Sequence, residues 1–153
     1  MLYLVRHAKA GDRSAWRGDD RLRPLSKEGR RQADALARKL ARLTTGQIVS
    51  SPYERCLQTV QPLSLVARTP VLEDPRLAEA ASFEGALDLL AELADGSVLC
   101  SHGDVIPDTI GALERRGCTV DGEPNWRKAS VWVLTRDASG HVVGATAWHP
   151  PEV

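Results

Sequence analysis

Two short apolar runs in this chain each end on a histidine: Leu2–Val5 leads into Arg6-His7, and Ser97–Ser101 leads into His102-Gly103. Continuous apolar runs of this length, closed by turn residues, predict strands buried on both faces, as in a parallel sheet covered by helices. Open sheets of that kind bind their ligands at the carboxyl ends of the strands. Both histidines therefore fall where chemistry is expected.

The intervening stretches supply the helices. From Ser26 as N-cap, Ala33, Leu36, Ala37, Leu40 and Leu43 recur on one helical face, and Thr44-Thr45-Gly46 ends it. Gln47–Ser50 predicts a second strand, and Ser51-Pro52-Tyr53-Glu54 reads as a capping box that opens a second helix, with Arg55 in its first turn. A cation is out of place at a helix N-terminus, and a local inconsistency of this kind marks Arg55 as a functional candidate. Pro62 is expected to kink or shorten that helix. Val71–Leu72 is a minimal third strand, and a helix over about 82–94 carries Leu87, Leu90, Ala91 and Ala94 on one face. Asp104 caps a further helix with Ile106, Ile110 and Leu113, ending at Gly117 as the C′ residue. Residues 118–129 read as irregular. Ser130–Thr135 and His141–Trp148 then form an edge hairpin about Asp137–Gly140. The predicted fold is α/β, a single domain over 1–153: a three-layer sandwich with a mostly parallel central sheet, helices on both faces and a C-terminal antiparallel edge hairpin.

Lys plus Arg and Asp plus Glu both number 20, and this neutrality argues against a nucleic-acid polymer as partner. The balance hides an asymmetry: residues 1–31 hold nine basic and four acidic side chains, whereas 71–108 hold nine acids and only Arg76. The basic end contains the Arg-His pair, which suits a site that attracts anions. Three cysteines without regular spacing are neither a disulfide framework nor a zinc site, and Cys100 is expected to serve as a small core hydrophobe. No apolar segment approaches membrane-spanning length and no signal peptide is read, so a cytoplasmic location is expected. His141 and His149 are expected on the surface, and Trp126, Trp132 and Trp148 as a cluster over the sheet edge.

If the strands bearing His7 and His102 are neighbours, and Ser50 ends a third, then Arg6, His7, Arg55 and His102 converge. Two arginines and two histidines are poor metal ligands and a good phosphate cage, because guanidinium donors pair with phosphate oxygens. A histidine in such a cage can attack phosphorus and carry it covalently. No cofactor and no metal are expected.

Three ordered segments carry a family resemblance: Leu4-Val-Arg-His-Ala8, Ser50-Ser-Pro-Tyr-Glu-Arg-Cys-Leu-Gln-Thr59 and Ser101-His102-Gly103, extended by Arg23-Pro-Leu-Ser and Gly29-Arg-Arg-Gln-Ala33. They resemble the signatures of the histidine phosphatase superfamily, with its phosphoglycerate mutase-like fold. The short length and the form Arg-His-Ala-Lys-Ala resemble small SixA-type phosphohistidine phosphatases. Similar domains also occur as the C-terminal half of some Nudix-hydrolase fusions. Ala8 departs from the usual Gly of the superfamily, a change that SixA-like members tolerate. The resemblance implies His7 as nucleophile, and Arg6, Arg55 and His102 as ligands of the phosphoryl oxygens. It makes Glu79, in Leu77-Ala-Glu79, a candidate proton donor to the leaving group; the alternative is a surface glutamate in an acid-rich stretch. Lys9, Arg13, Arg17 and Arg21 either form an outer rim that grips a second phosphate or an acidic protein surface, or lie solvated. The function read here is a metal-independent phosphatase acting on a phosphohistidine protein or a small phosphorylated compound. Its rivals are a phosphatase specific for nucleotides or metabolites and a phosphate-recognition module without turnover.

Overall fold

The computed structural model describes all 153 residues. Seven strands make one sheet: β1 (Leu2–Arg6), β2 (Ile48–Ser50), β3 (Val71–Glu73), β4 (Val98–Ser101), β5 (Thr119–Asp121), β6 (Val131–Arg136) and β7 (Val142–Trp148). Four helices connect them: α1 (Lys27–Leu40), α2 (Glu54–Ala67), α3 (Phe83–Glu92) and α4 (Val105–Arg115). The strand order is β3-β2-β4-β1-β6-β7-β5. The first four are mutually parallel, while β6 runs antiparallel to both β1 and β7. Two apolar layers pack on opposite faces. One joins Leu2, Leu4 and Leu99 to α3 and α4, and the other joins Tyr3, Val5 and Val98 to α1 and α2. Alternate residues of β1 thus feed both layers, as the pleat requires.

The predicted hairpin is present, with an addition outside it. Val120 of the stretch read as irregular pairs in parallel with Ala145, so β5 covers the outer side of β7. Three residues with little apolar character give no strand period to read, and tertiary pairing supplies the element. In α3 the core face is Ala86, Leu89, Leu90 and Leu93, with Leu87 only partly buried against it and Ala91 and Ala94 exposed. That face is the expected one rotated by about a residue. Pro62 lies within α2, which continues to Ala67, so the proline does not shorten it. The three tryptophans do not form one cluster: Trp126 packs on Trp132, while Trp148 packs on Tyr3 on the opposite face. Leu43 is exposed beyond the end of α1.

Ser26 caps α1 as expected, accepting from Gly29 N–H at 3.1 Å. That first turn sits directly on the loop after β1, where Ser26 N–H donates to the Lys9 carbonyl at 3.0 Å. A Cβ on Gly29 would fall on the Lys9 carbonyl oxygen, a backbone atom that cannot swing aside. Gly29→Ala should gain up to about 1 kcal/mol of helix propensity but lose about 1–3 kcal/mol to overpacking. The expected result is a lower urea midpoint, and an unchanged or raised midpoint would show that α1 is not seated on Lys9.

Candidate active site

The carboxyl ends of β1, β4 and β2 lie side by side, in register at Arg6 opposite Ser101 and Ser50 opposite Cys100. His7 and His102 leave adjacent strands, and their rings stand 5.4 Å apart. Arg6, His7, Arg55 and His102 are thereby brought together, as the sequence predicts. Arg6 and His7 line a cleft of about 910 Å³, while Arg55 and His102 are buried and do not reach its wall. Five basic side chains (Arg6, Lys9, Arg13, Arg23, Lys128) and three acidic ones (Asp12, Glu79, Asp104) line it, a balance that favours an anion.

His7 is buried, and its Nδ1 lies 2.8 Å from the Ala8 carbonyl oxygen. A carbonyl only accepts, so Nδ1 carries the proton and Nε2 holds the lone pair of the neutral ring. The Gly11 carbonyl, further along the same loop, accepts from Arg23. Burial lowers the His7 pKa to about 3. The Ala8 hydrogen bond opposes that shift, and the charges of His102, Arg55 and Arg6 add to it. His7 is therefore neutral across the physiological range. Ala8 N–H donates to Thr59 Oγ1 at 2.9 Å, and Thr59 donates to the Arg55 carbonyl at 2.7 Å, fixing this turn to α2.

Arg6 lies over Gly103, where a Cβ would stand 2.6 Å from its Cζ. The glycine after His102 is thus explained by close approach rather than by backbone conformation. Arg6 Nη1 donates to the Trp126 carbonyl. Burial lowers the Arg6 pKa, and Asp104 opposes the shift. Arg55 is fully buried at the start of α2. It donates to the Asp20 carbonyl at 2.9 Å and the Asp20 carboxylate at 3.1 Å, and lies 3.4 Å from Glu79. The predicted capping box does not form. The helix begins at Glu54 with no side-chain cap, and Ser51 Oγ instead contacts His102 Nε2 at 2.8 Å while accepting from Tyr53 N–H. Ser51 is spent on the site rather than on the helix. Cys56 Sγ is also 3.5 Å from His102 Nε2.

Three buried nitrogens of this cluster, Arg6 Nε, Arg55 Nε and His102 Nδ1, have no protein partner, and the two arginine ones are donors; the remaining one in the chain is Trp132 Nε1 on the α3–α4 face. Buried donors are normally paired. Their concentration here is a demand for acceptor oxygens.

Glu79 lines the cleft and pairs with Arg13 at 3.0 Å. It is not a loose surface residue. Ser101 Oγ donates to the Leu77 carbonyl at 2.7 Å, and Asp104, the cap of α4, accepts from Ala80 N–H at 2.7 Å. Lys9 also lines the cleft and pairs with Glu28, whereas Arg17 does not line it and Arg21 pairs with Asp19. Asp20 is the residue that the sequence does not single out. In a short 3-10 turn, Asp20–Leu22, it binds Arg23 at 2.9 Å and Arg55, with Arg13 at 3.9 Å. Burial alone would raise its pKa, but the Arg23 hydrogen bond and the charges of Arg55, Arg23 and Arg13 prevail and lower it. The only trace in sequence is Asp19, which caps that turn.

The likeness to known proteins agrees with this geometry. Residues 2–88 match the profile of the histidine phosphatase superfamily (branch 1). A curated relative, the 8-oxo-(d)GTP phosphatase of Mycolicibacterium smegmatis, is 37% identical over 155 residues. The alignment takes in 97% of this chain and 48% of the relative, so the chain spans about half of that protein's length. Two solved structures assigned as SixA-type phosphohistidine phosphatases share the fold. That from Nakamurella multipartitia has a TM-score of 0.71 at 26% identity, covering 97% of this chain and 95% of its own. That from Agrobacterium tumefaciens has a TM-score of 0.68 at 26% identity, covering 88% and 90%. By its site, its sheet and its matching profile, this chain belongs to the histidine phosphatase superfamily.

Proposed function

We propose that the chain hydrolyses phosphate esters or anhydrides of small molecules through a phosphohistidine at His7. The observation that carries this reading is the state of His7: buried, neutral, with Nδ1 tied to Ala8 and Nε2 free of protein partners beside two guanidiniums and His102. A nucleophile must present a lone pair, and this ring does so without a separate base.

In the first step Nε2 attacks phosphorus and the bond to the leaving oxygen breaks. Arg6, Arg55 and His102 hold the equatorial oxygens, whose charge they stabilise without reorganising. Glu79 protonates the departing oxygen. Its contacts with Arg13 at 3.0 Å and Arg55 at 3.4 Å keep it beside the group that those arginines bind. In the second step water attacks phosphorus and gives its proton to the Glu79 carboxylate. The P–N bond then breaks, returning the lone pair to Nε2 and releasing orthophosphate.

The stitched position of Glu79 favours esters and anhydrides over phosphohistidine, because a phosphoramidate nitrogen leaves with less help from an acid. The name of the mycobacterial relative, an 8-oxo-(d)GTP phosphatase, supports a nucleotide-like substrate. The SixA likeness keeps a phosphohistidine protein as the second reading.

Hydrolysis of an aryl phosphate and a phosphoramidate, measured side by side, separates the two. His7→Ala should abolish both, and Glu79→Gln should lower ester turnover by about 10²–10⁴-fold while sparing the phosphoramidate. Ester turnover that survives Glu79→Gln would remove the acid role, and activity that survives His7→Ala would remove the covalent mechanism.

The neutrality of His7 has a separate signature in stability. Its folded pKa of about 3 lies below the unfolded value of 6.5, so the unfolded chain binds more protons between those limits. The contribution is complete above pH 6.5 and is lost as pH falls toward 3, at up to about 1.4 kcal/mol per pH unit. Urea unfolding from pH 7 to pH 4 should show a native chain that loses stability faster than His7→Asn does. Parallel pH profiles would mean that His7 is not held neutral by the fold.

A further inference from the structure

The segment Asn125–Ser130 is bound to the end of β1 more firmly than an exposed connection requires. Ala129 N–H lies 3.2 Å from the Arg6 carbonyl and 3.1 Å from that of His7, and Arg6 N–H donates to the Ser130 carbonyl at 3.1 Å. The Arg6 side chain holds the Trp126 carbonyl, and Asn125 Oδ1 accepts from Arg127 N–H at 3.1 Å. Ala129 is fully buried with φ +67°, a left-handed conformation unfavourable for a residue with a Cβ. Strain of this sort persists where the surroundings enforce it, and it gathers at ligand sites.

This turn presents Lys128 between two clefts. Besides the main one, Lys128 lines a neighbouring cleft of about 360 Å³ together with Arg6, Lys9, Glu28, Gln32 and Arg127, with no hydrophobic side chain among them. Glu28, its one carboxylate, is already taken by Lys9 at 2.8 Å. Neither Lys128 nor Arg127 has an acidic partner. The Lys128 ammonium is pushed down first by burial and then by the charges of Arg6, Arg23, Lys9 and Arg13. A cation held among cations is relieved by an anion.

We infer that Lys128, with Arg127 and Arg6, forms a second anion site continuous with the phosphoryl cage, which takes a further phosphate of the same substrate and makes that substrate a diphosphate or longer phosphate chain. The inference rests on the reading of the cleft as a phosphoryl site. Arg6 borders both clefts, so the two anions it serves lie within the span of one guanidinium. Adjoining phosphates in a chain have that fixed spacing, and the carboxylates of a protein surface do not.

Calorimetric titration of the full chain with methylenediphosphonate, whose P–C–P bridge resists hydrolysis, and with orthophosphate tests it. The native chain should bind the diphosphonate at least about tenfold more tightly. Lys128→Gln should erase most of that preference, weakening the diphosphonate at least about fivefold more than orthophosphate, and Lys128→Arg should restore it. Equal affinity of the native chain for the two ions, or an equal loss of both in Lys128→Gln, overturns the second site and returns the rim to solvent or to an acidic protein surface. The titration involves no turnover. A chain that prefers the diphosphonate but hydrolyses no phosphate compound would therefore sink the catalytic reading alone.

Discussion

One main-chain hydrogen bond sets the frame for the site: His7 N–H to the Ser101 carbonyl, 3.0 Å, where β1 ends against β4. It continues the register that places Arg6 opposite Ser101. From it follow the side-by-side histidines and the close seating of Arg6 on Gly103. Slipping either strand by one residue would send each side chain to the other face of the sheet, moving Val5 into the opposite layer and turning His7 away from its place beside His102. The register is held because Leu2, Leu4 and Leu99 fill one layer while Tyr3, Val5 and Val98 fill the other. Burial of a core side chain contributes about 1.5–3 kcal/mol, so a slip that misplaces several of them costs more than the whole stability of an ordinary domain.

The second constraint is electrostatic. A site shaped for a phosphoryl group concentrates positive charge, and two like charges 4 Å apart repel by about 4 kcal/mol at an effective dielectric of 20. Arg55, fully buried, would be prohibitive without a counter-ion. Asp20 supplies one from the loop after β1, and the same carboxylate also holds Arg23, whose guanidinium reaches the Gly11 carbonyl. The order of that loop and the charge state of the cage are therefore the same question. A phosphoryl group that binds Arg55 competes with Asp20 for it, while Arg23 keeps Asp20 at 2.9 Å and so keeps the loop in place.

Much of this was legible in the sequence, because the features involved are local. Two continuous apolar runs, the Ser26 cap and a cation misplaced at the start of α2 need no tertiary knowledge. The illegible parts depend on distant partners. Asp20 meets Arg55 across 35 positions, and nothing in the stretch Arg17-Gly-Asp-Asp-Arg-Leu-Arg23 says which acid is the counter-ion. Ser51 looks like a helix cap because its spacing is that of a cap, yet His102, 51 residues on, takes its hydroxyl. Lys128 sits in a stretch that has no period at all. Its meaning arises only once Ala129 is pinned beneath Arg6 and His7.

Backbone strain marks the same places. Of the three non-glycine residues with positive φ, Arg68 ends α2 in the ordinary manner, while Ala80 and Ala129 follow Glu79 and Lys128 directly. Each is locked by a contact from the site: Asp104 holds Ala80 N–H, and the Arg6 and His7 carbonyls share Ala129 N–H. Glycine would adopt either conformation without cost, but it would also widen the ensemble of the unfolded turn. Alanine accepts some strain in the folded state in return for a turn with fewer alternatives. Both turns aim an ionisable side chain at the cleft, where a misplacement of 1 Å can cost two orders of magnitude in rate. The strain is therefore the means by which a sheet edge built for packing holds a carboxylate on one side of the cleft and an ammonium on the other.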